Sequence, residues 1–137
     1  MRDEITVRRL GPDDADVVHA FADGDAHTAL LDDERTIFLA AFRGDEPVGF
    51  VLAYELPRRR GHERMLCVYE VDVRAADRGR GVGTRLMREL DSLARARGVG
   101  KGFVLTDADN EPANRLYARA GGEAREVVEW DFRYAER

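Results

Sequence analysis

Arg78-Gly79-Arg80-Gly81-Val82-Gly83-Thr84 sets glycines at alternate positions between an apolar run, Leu66–Val73, and a helical pattern, Thr84–Arg97. Glycines at a strand-to-helix turn let backbone N–H groups converge on an anion, and the positive end of the helix dipole adds to them. The chemistry this indicates is the holding of a phosphate-bearing ligand; a helix entry that serves packing alone is the alternative. Two other phosphate loops fail on spacing. No Gly-Lys-Ser/Thr is present, and the residue that would complete G-x-G-x-x-G from Gly79 is Thr84.

Carboxylates are the second chemical feature. Glu70 and Asp72 share a parity within Leu66–Val73. Acids on a central strand need a reason, because they are rarely buried without a partner. They either accept a proton or pair with an arginine such as Arg64 or Arg74. Asp107, Asp109 and Glu111 follow the run Phe103–Thr106, Glu129 and Asp131 share one face of Arg125–Tyr134, and Tyr54-Glu55 ends Val48–Leu56. If these groups converge they make a site for a multiply charged cation; if not, they are a solvated acidic face.

The elements that position them follow from pattern. Ile5–Leu10 alternates as a first strand, and Gly11-Pro12-Asp13-Asp14 opens a helix with Ala15, Val18, Phe21 and Ala22 on its apolar side. Asp25–Arg35 reads as a short helix plus loop. Ile37–Phe42 and Val48–Leu56 form a hairpin through Gly44-Asp45-Glu46-Pro47, and Arg58–Glu63 is an exposed loop. Leu66–Val73 is the fourth strand. The helix after the glycine loop carries Val82, Leu86, Met87, Leu90, Leu93 and Ala94 on one side and stops at Gly98. Phe103–Thr106 is a strand, Pro112–Ala120 a helix, and Arg125–Tyr134 a final strand with Val128, Trp130, Phe132 and Tyr134 on one face.

The 137 residues suit one domain, residues 1–137, with one core. A net charge of −5 argues against a general nucleic-acid binder and is compatible with a cationic substrate. No apolar run reaches membrane-spanning length, and Met1-Arg2-Asp3-Glu4 lacks the apolar segment of a signal peptide. The lone Cys67 excludes an intrachain disulfide and suits a reducing cytoplasm. His19, His27 and His62 have no metal-ligand spacing, so no metal is expected.

Arg78–Thr84 fits Arg/Gln-x-x-Gly-x-Gly/Ala, and Asn110-Glu111-Pro112-Ala113-Asn114-Arg115-Leu116-Tyr117…Gly121 fits Asn-x-x-Ala-x-x-Leu-Tyr…Gly. Two such signatures, each on the expected element, resemble the GNAT acyltransferase superfamily, and the element order extends the resemblance over the whole chain. Gly122 stands where that family usually has Phe, and Arg78 where Gln is commoner. Ala53–Arg58, Val68–Val73, Asp107–Glu111 and Glu126–Asp131 are further similar to class I aminoglycoside 3-N-acetyltransferases. That similarity is partial: Asp109-Asn110 and Trp130 depart from the pattern.

The resemblance implies an α/β fold with a central mixed sheet splayed between the fourth and fifth strands, and helices on both faces. It implies acetyl-CoA as donor, a cationic amine such as an aminoglycoside as acceptor, antibiotic resistance, and a homodimer. It puts Arg78–Thr84 on the coenzyme pyrophosphate, Val71, Asp72 and Val73 along the pantetheine, and Asn110, Ala113 and Tyr117 at the same site. The Val73 amide is implied as the oxyanion donor, Tyr117 as the acid for the thiolate, and Glu70 ahead of Asp72 as the base. Tyr54, Glu55, Glu70, Asp107, Asp109, Glu111, Glu129 and Asp131 are implied for the acceptor. A GNAT enzyme for another amine and a non-catalytic coenzyme A-binding module are the alternatives.

Overall fold

Apolar residues run almost unbroken through β2 (Thr36–Arg43) and β3 (Glu46–Pro57), which pair as an antiparallel hairpin around Gly44-Asp45, with Gly44 at φ 62°. β1 (Ile5–Arg9) lies antiparallel to β2, and β4 (Arg64–Val73) antiparallel to β3. β5 (Val99–Val104) is parallel to β4, completing the order β1-β2-β3-β4-β5. A parallel pair needs a crossover, supplied by α2 (Val82–Ala96). The computed structural model describes residues 4–22, 24–61 and 63–135. His62 and Met1-Arg2-Asp3, read above for metal spacing and for a leader, lie outside them.

Both faces of the sheet are covered, as near-continuous apolar strands require. On one face Leu39, Val51, Leu66 and Val68 pack with Val82, Leu86 and Leu90 of α2. On the other, Phe38, Phe42, Phe50 and Leu52 pack with Val18 of α1 (Ala15–Phe21) and Leu31 of a 3₁₀ turn, Ala29–Asp32. A second 3₁₀ turn, Pro12–Asp14, leads into α1, and the Asp14 carboxylate accepts from the Gly11 N–H at 2.8 Å. α3 (Glu111–Arg119) follows β5.

β4 and β5 are in register from Arg64↔Val99 to Val68↔Val104 and then part. At the same place β4 carries an extra residue. Ala53 faces Val68 and Leu52 faces Glu70, so Tyr69 is the bulge. The bulge shifts side-chain parity: Leu66 and Val68 face α2 before it, Val71 and Val73 after it. Glu70 and Asp72 therefore point to the opposite face, and both are exposed. Among the described residues, the strand beyond Val68 has a partner only on the β3 side. There Arg74 N–H donates to Val48 O at 2.9 Å, and alternation then turns the N–H groups of Val73 and Val71 away from β3, into the splay.

Two expectations are corrected. Asp25–Arg35 holds only the 3₁₀ turn, with no α-helix. Arg125–Tyr134 is not a strand. Among the described residues no backbone hydrogen bond involves 123–134, and Trp130 and Phe132 are exposed. Alternation specifies a face for a strand, but a strand exists only with a pairing partner, and within one chain this segment has none.

Candidate active site

The splay opens a cleft of about 380 Å³ between β4 and β5. Tyr69, Glu70, Val71 and Asp72 of β4 line one side, and Val104, Leu105, Thr106, Asn110, Ala113 and Tyr117 the other. Phe21 and Phe50 close its floor, with ring centroids 4.8 Å apart.

At one end of the bared β4 edge sits the glycine loop. Gly79 and Gly81 have φ of 75° and 84°, the left-handed region where side chains are strained, and a Cβ at either would meet nothing within 4 Å. Gly81 is also the N-cap of α2. No side chain caps that end, and its first turn holds no acid. Arg85 N–H is the first to bond back, to Gly81 O at 3.0 Å, so the N–H groups of Val82, Gly83 and Thr84 have no helical acceptor. That is an anion cradle with its dipole uncompensated. Gly83 serves packing instead. A Cβ there would lie 3.3 Å from Leu116, so its lack of a side chain lets α3 pack on α2.

The arginines of the loop divide. Arg78 Nε donates to Val73 O at 2.9 Å, and its guanidinium lies 3.6 Å from Asp72, so it ties the loop to the end of β4. Asp72 Oδ1 in turn accepts the N–H of Val73 at 3.0 Å. Among the described residues Glu70 has no ion pair. The arginine-partner reading therefore fits Asp72 and not Glu70.

α3 brings Tyr117 to the cleft. Asn110 caps this helix, its side chain accepting from Ala113 N–H at 3.2 Å. Asn114 Nδ2 donates to the carbonyls of Asp107, Ala108 and Asn110, which fixes the acidic loop. Sequence reasoning places Asn114 in the motif without a role; the loop of carbonyls upstream of a helical Asn is the available signal. It also misses Phe21, Phe50 and Tyr69 as cleft residues. Burial pushes the Tyr117 hydroxyl pKa up, so it stays a proton donor at neutral pH. Tyr54 sits edge-on to Tyr69 at 5.8 Å, its pKa raised by burial and then by the charge of Glu70.

The acids do not all converge. Asp131's hydrogen bond and charge, and further off Asp107, push the Glu129 pKa up, so these three carboxylates form one exposed group. Glu111 lies 3.4 Å from Arg115, one helical turn on. Asp109 is exposed on the loop. Glu55 is corrected outright. Its side chain is fully buried, paired with Arg97 and lying 3.4 Å from Arg64, and it offers nothing to an acceptor. The bulge causes this: it separates the parity of Glu55 from that of Glu70, and Arg97 closes over Glu55 from the end of α2.

The sequence pattern of the acetyltransferase (GNAT) family matches residues 5–122. Mycothiol acetyltransferase of Streptomyces scabiei (strain 87.22) is 34% identical over 135 residues, which cover 85% of this chain and 42% of that protein. The chain thus spans about two fifths of the length of that curated relative. Among solved structures, an aminoglycoside acetyltransferase from an uncultured soil metagenomic sample superposes with a TM-score of 0.87 at 28% identity, covering 96% of this chain and 99% of that one. Another, crystallised with sisomicin, gives 0.84 at 17% identity over 96% and 97% of the two chains, a likeness that shows the fold alone.

Proposed function

Since the chain belongs to the acetyltransferase (GNAT) family, we propose that it moves the acetyl group of acetyl-CoA onto an amine of a small cationic molecule, in the first place an aminoglycoside. The observation that carries this reading is the bulge at Tyr69. It parts β4 from β5, frees backbone N–H groups, and puts Glu70 and Tyr117 on one cleft, with the glycine loop tied by Arg78 to the end of the same strand. The aminoglycoside reading draws on the 28%-identical soil enzyme and on the Glu129, Asp131 and Asp107 group, and the 3-amino position on the segment resemblance alone.

The residues present fit the donor. An uncapped helix N-terminus behind two left-handed glycines suits a pyrophosphate, and a one-sided strand suits an amide-bearing chain. When bound, acetyl-CoA supplies the acetyl group as a thioester. The backbone of Val71 and Val73 pairs along it. Val71 N–H, which faces the cleft unencumbered, is the better oxyanion donor; Val73 N–H is held by Asp72. One such contact is typically worth about 3–4 kcal/mol in the transition state. Glu70, directly or through water, accepts the proton of the amine as its nitrogen bonds to the carbonyl carbon. Tyr117 gives its hydroxyl proton to the sulfur as the C–S bond breaks.

The donor site is tested by calorimetry with acetyl-CoA. Gly81→Asp, which brings a charge and a strained φ to the cradle, should abolish binding while the fold persists. Unchanged affinity in a folded variant overturns the assignment. The relative named mycothiol acetyltransferase favours a second reading, a different small amine on the same machinery; an amine panel separates the two.

A further inference from the structure

Phe21 is the last residue of α1, and the chain turns extended directly after it, at Ala22. The last carbonyls of a helix have no partner inside it, so a helix of seven residues ends loosely unless another group holds it. Phe21 nevertheless lines the cleft. It packs on the face of the sheet where Phe50 lies opposite Asp72 and Leu52 opposite Glu70.

What holds it is Arg74. Its Nη2 donates to Ala20 O at 3.1 Å, and its guanidinium lies over the Phe21 ring, 5.7 Å from the centroid. Phe21 in turn sits 4.8 Å from Phe50, and Phe50 5.2 Å from Phe38 in the core. A cation is favourable both at a helix C-terminus and over an aromatic ring. Among the described residues no other side chain bonds to a carbonyl of α1. The contact of Arg74 with Glu46, at 3.6 Å and open to solvent, adds little.

The backbone of Arg74 is fixed on both sides. Its N–H donates to Val48 O at 2.9 Å, and its C=O accepts from Asp77 N–H at 2.8 Å in a 3₁₀ turn, Ala75–Asp77, that leads into the glycine loop. Asp77 is itself buried and paired with Arg43, so the turn is anchored as well. Arg74 thus stands between the bared edge Val71–Val73 and the loop that starts at Arg78, while its side chain reaches 54 positions back to α1.

We propose that Arg74 is a positioning residue. It fixes Phe21 as the wall on which the acceptor amine is seated, in register with the strand edge that takes the thioester. The proposal rests on acetyl transfer in the Tyr69 cleft. Arg74 touches neither substrate and acts through Phe21.

The test is steady-state thiol release with acetyl-CoA and whichever of gentamicin, glucosamine and spermidine the wild-type chain acetylates best. Arg74→Gln should lower kcat/KM for the amine by about 10²-fold, the range for a misplacement of about 1 Å, and spare KM for acetyl-CoA. Arg74→Lys keeps a cation at the helix end without the planar face, and should fall between Arg74→Gln and wild type. Phe21→Leu added to Arg74→Gln should cost little further, because the two residues act as one unit. Amides of residues 15–22 should exchange faster in Arg74→Gln while those of β2 and β3 keep their protection. An unchanged kcat/KM for the amine overturns the proposal, as does an equal rise in both KM values or full additivity of the two substitutions. Where Arg74→Gln does not fold, Arg74→Lys with and without Phe21→Leu is judged on the same criteria. A wild-type chain that turns over no amine overturns acetyl transfer and this proposal with it. A wild-type chain that turns one over, beside an Arg74→Gln chain that does so equally well, overturns this proposal alone.

Discussion

Glu70 and Asp72 are two residues apart, on one face and equally exposed, yet their surroundings divide the work between them. Asp72 is occupied by Arg78 and by the Val73 amide, whereas Glu70 stands in the cleft beside Tyr69 without an ion pair. Glu70→Gln should therefore lower kcat by about 10²–10⁴-fold near neutral pH and recover partly as pH rises and more free amine is present. Asp72→Asn should instead raise KM for acetyl-CoA. A pH–rate profile of thiol release checks both, and the opposite pattern exchanges the roles. Tyr117→Phe should lower kcat with both KM values nearly unchanged, since only the departing sulfur needs the hydroxyl. Glu55 belongs to stability. Arg97, with Arg64, holds its carboxyl below the usual 4.5. A depressed carboxyl pKa contributes stability above the unfolded value and loses it as pH falls through the folded one. Glu55→Gln should cost about 3–5 kcal/mol at pH 7, the range for breaking a buried pair, and the gap to wild type should close below pH 4.5. Urea unfolding at both pH values measures it; a gap independent of pH contradicts it.

Elements set what the residues can reach, and here glycines regulate the spacing. A Cβ on Gly49 would lie 3.1 Å from Asp72 O and 3.2 Å from Val82, where backbone cannot yield. Gly49→Ala should push β4 and the start of α2 apart, cost about 1–3 kcal/mol, and weaken acetyl-CoA binding although it touches no ligand. Calorimetry and thermal unfolding of the variant check it. Element order, the mixed sheet, the hairpin and α2 were legible because each has a local signal: periodicity, turn residues, a glycine stop. The bulge was not. Leu66–Val73 reads as an even apolar run, and the extra residue shows only against β3. The parity of Glu70 and Asp72 survived because both lie beyond Tyr69, whereas Glu55 was misplaced because its partners are Arg64 and, 42 positions on, Arg97. The last strand failed for the reverse reason: its alternation is real, but among the described residues no strand pairs with it.

On the scale of the molecule, Thr106 and Asn110 in the cleft wall bracket the acidic loop, whose Asp107 acts through its charge on Glu129. Exposed carboxylates attract a polycation through solvent, so KM for an aminoglycoside should climb steeply with added salt, over a Debye length of about 8–10 Å. Neutralising Asp107 or Glu129 should raise that KM and spare KM for acetyl-CoA, as steady-state kinetics would show. These expectations presuppose acetyl transfer at the Tyr69 splay, and one measurement addresses that directly: release of free thiol from acetyl-CoA by the purified chain, with and without an aminoglycoside of the gentamicin or apramycin type, beside other small amines. Thiol release that needs the amine, accompanied by the N-acetylated product and abolished by Gly81→Asp, is the predicted result. Tight binding of acetyl-CoA with no turnover of any amine at millimolar concentration would contradict it.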